Sequence, residues 1–205
     1  MSARASILGR LRQAERTGHV PAGQPPVHSP DRGPDGPLID RFVRELAALG
    51  VNSFVELSEA DARARVASIV GTRSVLRWDA RHLPYGVGEM FPSASTGASA
   101  RQEQAAAEVG ITGVDAAIAE TGSLALLSGE GKPRAASLLP PTHVAIVRRG
   151  DLGGSLGEFF SSFADAIAGA ACCTFVTGPS RTADIELTLT LGVHGPGVVI
   201  VVVGP

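Results

Sequence analysis

Between Thr177 and Pro196 the chain reads TGPSRTADIELTLTLGVHGP, setting Ser180, Arg181, Thr182, Asp184, Glu186 and His194 among glycines and prolines. The preceding run, CCTFV, reads as a strand. In open parallel sheets ligands sit at the carboxyl ends of strands, where loops present free backbone N–H groups. A loop of Gly178, Ser180, Arg181, Thr182 and Asp184 would suit an anion there. Ser180 and Thr182 add hydroxyl donors, and Arg181 can grip a carboxylate or phosphate through two parallel hydrogen bonds. A plain structural role fits the same residues: glycine and proline shape a turn, Thr182 caps a short helix, and Arg181 pairs with Asp184 or Glu186. Composition does not separate the two. His194, in GVHGP, has glycine neighbours that let a backbone come close to a ligand, and it can act as acid, base or ligand.

Three specific chemistries fit poorly. No Gly-Lys-Ser follows the glycine and no Gly-x-Gly-x-x-Gly occurs, so neither a P-loop nor a dinucleotide fingerprint is present. Asp184, Glu186 and His194 match no standard metal spacing, so no metal is expected. GPSRT lacks the second glycine of a hydrolase nucleophile elbow.

A second cluster lies in AETGSLAL, where Glu120, Thr121 and Ser123 surround Gly122. A buried glutamate with hydroxyl neighbours can serve as nucleophile or general base. An exposed glutamate at a hairpin turn is the simpler reading while no second-site partner is in hand. Arg134 and His143 flank AASLLPPT, as a further polar wall or as surface residues.

These loops need elements to hold them. Leu38, Ile39, Phe42, Val43, Leu46 and Leu49 recur at helical spacing and stop at Gly50. VNSFVEL follows as a short strand. Ser58, with Asp61 three residues on, opens a helix that closes at Gly71. SVLRWD is the next strand, and RQEQAAAEVG is a helix ending near Gly110. Strands are expected at Ala116–Glu120, Ser123–Leu127 and His143–Val147, then one helix over SLGEFFSSFADAIAG, a buried strand in CCTFVTG and a last strand in GVVIVVVG. This order is the grammar of an α/β domain with a mostly parallel sheet and flanking helices.

Ahead of that domain, Ser2 to Arg16 reads as a helix with Ile7, Leu8 and Leu11 on one face. Residues 17–37 are a Pro/Gly-rich linker. The expected division is therefore an arm over 1–37 and a domain over 38–205. A tethered amphipathic helix suits packing on its own body or exchange within a homodimer.

With 44 % hydrophobic and 19 % charged residues, the 205-residue chain can bury a core. A net charge of −2 and 4 % aromatics argue against nucleic acid. Cys172 and Cys173 are adjacent in an apolar run, which builds neither a disulfide framework nor a four-thiolate cluster; buried thiols in a reducing cytosol are expected. The N-terminus has no apolar core of signal-peptide length, and VVIVVV is too short to span a bilayer, so the expected location is cytoplasmic.

Taken in order, GITGVDAAIAETGSLALLS at 110–128, RAASLLPPTHVAIV at 134–147, TGPSRTADIE at 177–186 and GVHGP at 192–196 resemble the lactate utilization protein C family, the LUD-domain proteins. The resemblance implies a Rossmann-like α/β fold related to ribose-phosphate isomerases and CoA-transferases. It also implies membership of a three-component system that oxidises L-lactate to pyruvate with two iron–sulfur subunits as partners. This chain carries no cluster-binding cysteine runs, so it would be a non-redox component binding a small anionic ligand. A stand-alone isomerase or acyl/CoA-transferase-like enzyme, with Glu120 as base or nucleophile assisted by His194, is the alternative. A metabolite-sensing assembly module is the third.

Overall fold

The structure, a computed structural model, describes residues 3–17, 36–183 and 189–205. Its contacts gather into two units, Met1–Asp31 and Arg32–Pro205. The first contains α1 (Ala3–Thr17), on which Ile7 and Leu8 are 58 % and 40 % exposed. The expected linker lies mostly outside the described residues.

The second unit opens with α2 (Leu38–Ala48), β1 (Asn52–Val55), α3 (Glu59–Val70) and β2 (Val75–Arg77), then α4 (Arg101–Ala105) and β3 (Val109–Thr112). It continues through β4 (Ala116–Ile118), β5 (Ser123–Leu127), α5 (Ala135–Leu138), β6 (Thr142–Arg148) and β7 (Leu152–Gly153). The last part comprises α6 (Leu156–Ser162), α7 (Ala164–Gly169), β8 (Cys173–Val176), β9 (Arg181–Ala183), β10 (Leu189–Leu191) and β11 (Val198–Gly204). Five strands form a wholly parallel sheet in the order β1-β11-β6-β3-β2. A mixed sheet, β7-β4-β5-β8, lies apart from it, and β9 and β10 form a separate antiparallel pair. The chain is thus an α/β protein with a largely parallel sheet and flanking helices.

Parallel strands buried on both faces read as continuous apolar runs. VVIVVV is such a run, with Val201, Val202 and Val203 fully buried between β1 and β6. Val66 and Val70 of α3 share one core with Val144, Ile146 and Val202. Phe42 and Leu46 of α2 share a second with Ala145, Val147 and Val201, joined by Ala117 and Leu124 of the mixed sheet. Each of the valine, leucine, isoleucine and phenylalanine side chains contributes roughly 1.5–3 kcal/mol by leaving water. The local signals agree: Ser58 Oγ accepts from Asp61 N at 3.1 Å to cap α3, and Gly50 takes φ 77° to end the turn after α2.

Four expectations are corrected. The helix read over RQEQAAAEVG stops at Ala105, and Val109–Thr112 is a fully buried strand. Gly110, read as a helix stop, is a flat place in that strand: a Cβ there would lie 1.8 Å from the carbonyl oxygen of Ala136 in α5. The single helix over 155–169 breaks at Phe163, which leaves helical angles (φ −110°) while its ring stacks on Phe159 at 4.9 Å. The strand in CCTFVTG is half-buried, because β8 is an edge of its sheet. His143 belongs to no surface wall: it is fully buried on β6, with Nε2 2.9 Å from Thr112 Oγ1.

Candidate functional site

Two Thr–Gly turns build the centre of the site. Thr121–Gly122 links β4 to β5 and Thr177–Gly178 follows β8, with both glycines in the left-handed region at φ 64° and 88°. β5 and β8 are antiparallel neighbours, with Leu124 opposite Val176, so Ser123 at the start of β5 and Thr177 just past the end of β8 face each other. Thr121 Oγ1 is 2.7 Å from Ser123 Oγ, which is 2.7 Å from Thr177 Oγ1. Ser123 is 3 % exposed, while Thr177 is open to solvent. Both turns rest on α2. A Cβ at Gly122 would come within 3.0 Å of Leu46 N, and one at Gly178 within 3.3 Å of Leu49 Cβ.

The loop after Gly178 stays at this end of α2. The Arg181 guanidinium donates to the carbonyl oxygen of Leu49, the C-cap residue, where the negative end of the helix dipole favours a cation. Gly50 lies next to it: a Cβ there would make ordinary contact with Arg181 Nη2 at 3.6 Å, and it is the φ of 77° that calls for glycine. Ser180 N donates to Pro196 O at 2.9 Å and its carbonyl accepts from Gly192 N at 2.9 Å, so GVHGP is pinned to the same loop. His194 is exposed on that loop. Thr121, Gly122, Ser123, Gly178, Ser180 and Arg181 are therefore connected through neighbouring contacts. Thr182 sits on β9 opposite Thr190, and Asp184, like Glu186, lies outside the described residues.

Among the described residues no helix follows Gly178 and Thr182 lies on a strand, so the capping role for Thr182 and the helix N-terminus as anion cradle find no support there. The segment enters a hairpin strand instead. The strand before it belongs to the mixed sheet, and Gly50 and Gly192–Pro196 immediately precede β1 and β11. The cluster therefore stands over the amino-terminal edge of the parallel sheet, opposite the edge where open α/β sheets ordinarily bind ligands.

Glu120 turns toward a different neighbour. Half-buried, its Oε2 accepts from Leu156 N at 3.3 Å, at the first residue of α6. Among the described residues no hydrogen bond or ion pair joins it to His194. Arg134 precedes α5 and is exposed. Cys172 and Cys173 are half-buried free thiols, and burial, followed by the neighbouring Cys172 and Asp115, pushes the Cys173 thiol above its ordinary range. Among the described residues no group of three or more His, Cys, Asp or Glu side chains is placed to hold a metal. No helix among them is long and apolar enough to cross a membrane.

Two features escaped the sequence reading. Thr177 ends the hydroxyl row, yet no local signal marks it: Thr-Gly occurs five times in the sequence, so the dipeptide alone does not single this one out. Lys132, the one lysine, forms a 2.6 Å ion pair with Asp115, whose other oxygen accepts from Leu127 N. It ties the 128–132 loop to the base of the β4–β5 hairpin.

The fold and the braced loops define an α/β protein with an oxygen-rich loop cluster. Residues 39–203 match the LUD domain model, and the chain belongs to the LUD-domain family. It is 36 % identical over 137 residues to Lactate utilization protein C of Shouchella clausii, a match covering 62 % of this chain and 60 % of that protein. To the protein of the same name from Halalkalibacterium halodurans it is 42 % identical over 94 residues, spanning 44 % and 41 % of the two chains. The Bacillus subtilis counterpart is 31 % identical over 217 residues, 94 % of this chain and 89 % of that one. A crystal structure described as a DUF162 family protein from Deinococcus radiodurans superposes with TM-score 0.67 and 22 % identity, covering 82 % of this chain and 96 % of the other, a likeness of fold.

Proposed function

We propose that this protein is a cytoplasmic, non-redox component of an L-lactate utilisation system, which oxidises lactate to pyruvate, and that its loop cluster holds a small anionic ligand. The observation that carries the ligand reading is that the Thr–Gly turns bearing the row of hydroxyls and the Arg181 guanidinium both rest on the C-terminal end of α2. A guanidinium has five N–H donors, and the Leu49 carbonyl takes only part of that capacity. The family match supports the lactate assignment. The redox step falls to iron–sulfur partner subunits, because the only cysteines here, Cys172 and Cys173, are adjacent and cannot supply a cluster's ligand set. Two free thiols also suit a reducing compartment. The fold is read as related to ribose-phosphate isomerases and CoA-transferases, with α1 as an arm that either packs on its own body or is exchanged in a homodimer.

Affinity capture with the co-expressed iron–sulfur subunits under anaerobic conditions tests the assembly, and no association would count heavily against it. For the ligand, calorimetric titration of L-lactate, pyruvate and inorganic phosphate is expected to show binding by at least one. Arg181→Ala should weaken that binding by about tenfold or more, the worth of a charged hydrogen bond. Equal binding by the variant would remove Arg181 from the site.

A second reading rests on Glu120. Its half-buried carboxylate has one oxygen held by Leu156 N, which leaves the other to act as base or as nucleophile in an isomerase or acyl/CoA-transferase-like reaction. Turnover by the isolated chain that vanishes in Glu120→Gln would favour this enzyme over a binding component.

A further inference from the structure

We infer that Thr177 is the ligand-facing donor of this site, the exposed end of a three-hydroxyl row that fixes where an oxyanion's oxygen must lie. The inference rests on the anion-binding reading above and deepens it.

Three hydroxyls carry three protons, and the two 2.7 Å contacts of the row consume two. The third proton must leave from one end. Ser123, in the middle, donates to one threonine and accepts from the other, so the whole row points one way at a time. When it points from Thr121 through Ser123 to Thr177, the free proton is on the one hydroxyl whose residue is open to solvent. An oxyanion there selects that direction, and each bond in the row polarises the next. Among the described residues the Oγ of Ser123, 3 % exposed, bonds to the two threonines alone.

The donor is also held in place. Gly122 and Gly178 press both Thr–Gly turns onto α2, with approach distances of 3.0 and 3.3 Å for any added Cβ. Leu49, against which Gly178 packs, also receives the Arg181 guanidinium. A hydroxyl donor and a cation thus approach the same helix end from one loop. This geometry fits a carboxylate or a phosphate, with one oxygen on Thr177 and the charge facing Arg181. Ser123 acts through Thr177 and is a positioning residue.

The test titrates L-lactate and inorganic phosphate separately into the full chain and its variants by calorimetry, which also tells the two anion sources apart. Thr177→Val removes the hydroxyl and keeps the shape, so binding should weaken at least about tenfold. Thr177→Ser restores the O–H and should stay within about threefold of the parent. Ser123→Ala should lower affinity by less than Thr177→Val. If Arg181→Ala weakens binding while Thr177→Val binds like the parent, the inference about Thr177 fails and the anion site stands. If the parent takes up neither probe, the anion reading fails and this inference falls with it. Should Thr177→Ser lose as much as Thr177→Val, the row is only structural and the inference is overturned.

Discussion

His143 is the residue whose environment makes the firmest physical statement. Its ring is fully buried, Nδ1 has no hydrogen-bond partner among the described residues, and burial lowers its pKa from 6.5 to about 4. The folded protein therefore holds the neutral imidazole, while the unfolded chain takes up a proton below 6.5. Stability from this group is complete above pH 6.5 and falls as the pH drops toward 4, in total by about 3 kcal/mol. Urea midpoints measured between pH 4 and 7 should show this slope, and His143→Asn should flatten it. An unchanged slope in the variant would assign acid sensitivity to other groups. Neighbouring Thr112 shows why the sequence misled here: the hydrogen bond that accepts His143 into the core comes from a strand 31 residues earlier.

At the scale of elements, the decisive piece is β3. Its central glycine was read as the end of a helix, yet the reason for glycine is the close approach of α5. Gly110→Ala would drive a methyl group into the Ala136 carbonyl at 1.8 Å, so α5 or the strand must shift. Overpacking of this kind costs typically 1–3 kcal/mol, and here the obstacle is backbone rather than a movable side chain. A drop in denaturation midpoint of that size is expected, and a variant as stable as the parent would show that α5 can retreat freely. α2 was legible in full because its stripe and its stop are local signals. Its role as the brace for both Thr–Gly turns was not, since that depends on where β5 and β8 deliver their loops.

For the whole molecule, the prediction concerns the arm. α1 carries Ile7 and Leu8 with 58 % and 40 % of their surfaces exposed, an apolar stripe suited to a partner. If arms are exchanged in a homodimer, the double substitution Ile7→Asp, Leu8→Asp should convert a dimer to a monomer in light scattering while leaving the unfolding midpoint of a monomeric fold in place. A parent protein that is already monomeric at high concentration would end the exchange model. The LUD match over 39–203 leaves the arm outside the family's core, so the two can be tested apart.

What the sequence determined by itself is what local chemistry can encode: the α/β alternation, the caps at Ser58 and Gly50, the apolar runs of the central strands, and the clusters around Gly122 and Gly178. Sequence motifs also sufficed for the family, because short strings in a fixed order survive without any knowledge of their contacts. Only the tertiary structure decided that those two clusters meet, that Thr177 completes their hydroxyl row, and that Glu120 turns away to α6. The reason is register. Ser123 and Thr177 are 54 residues apart, and the antiparallel pairing of β5 with β8, set by long-range burial, brings their hydroxyls to 2.7 Å.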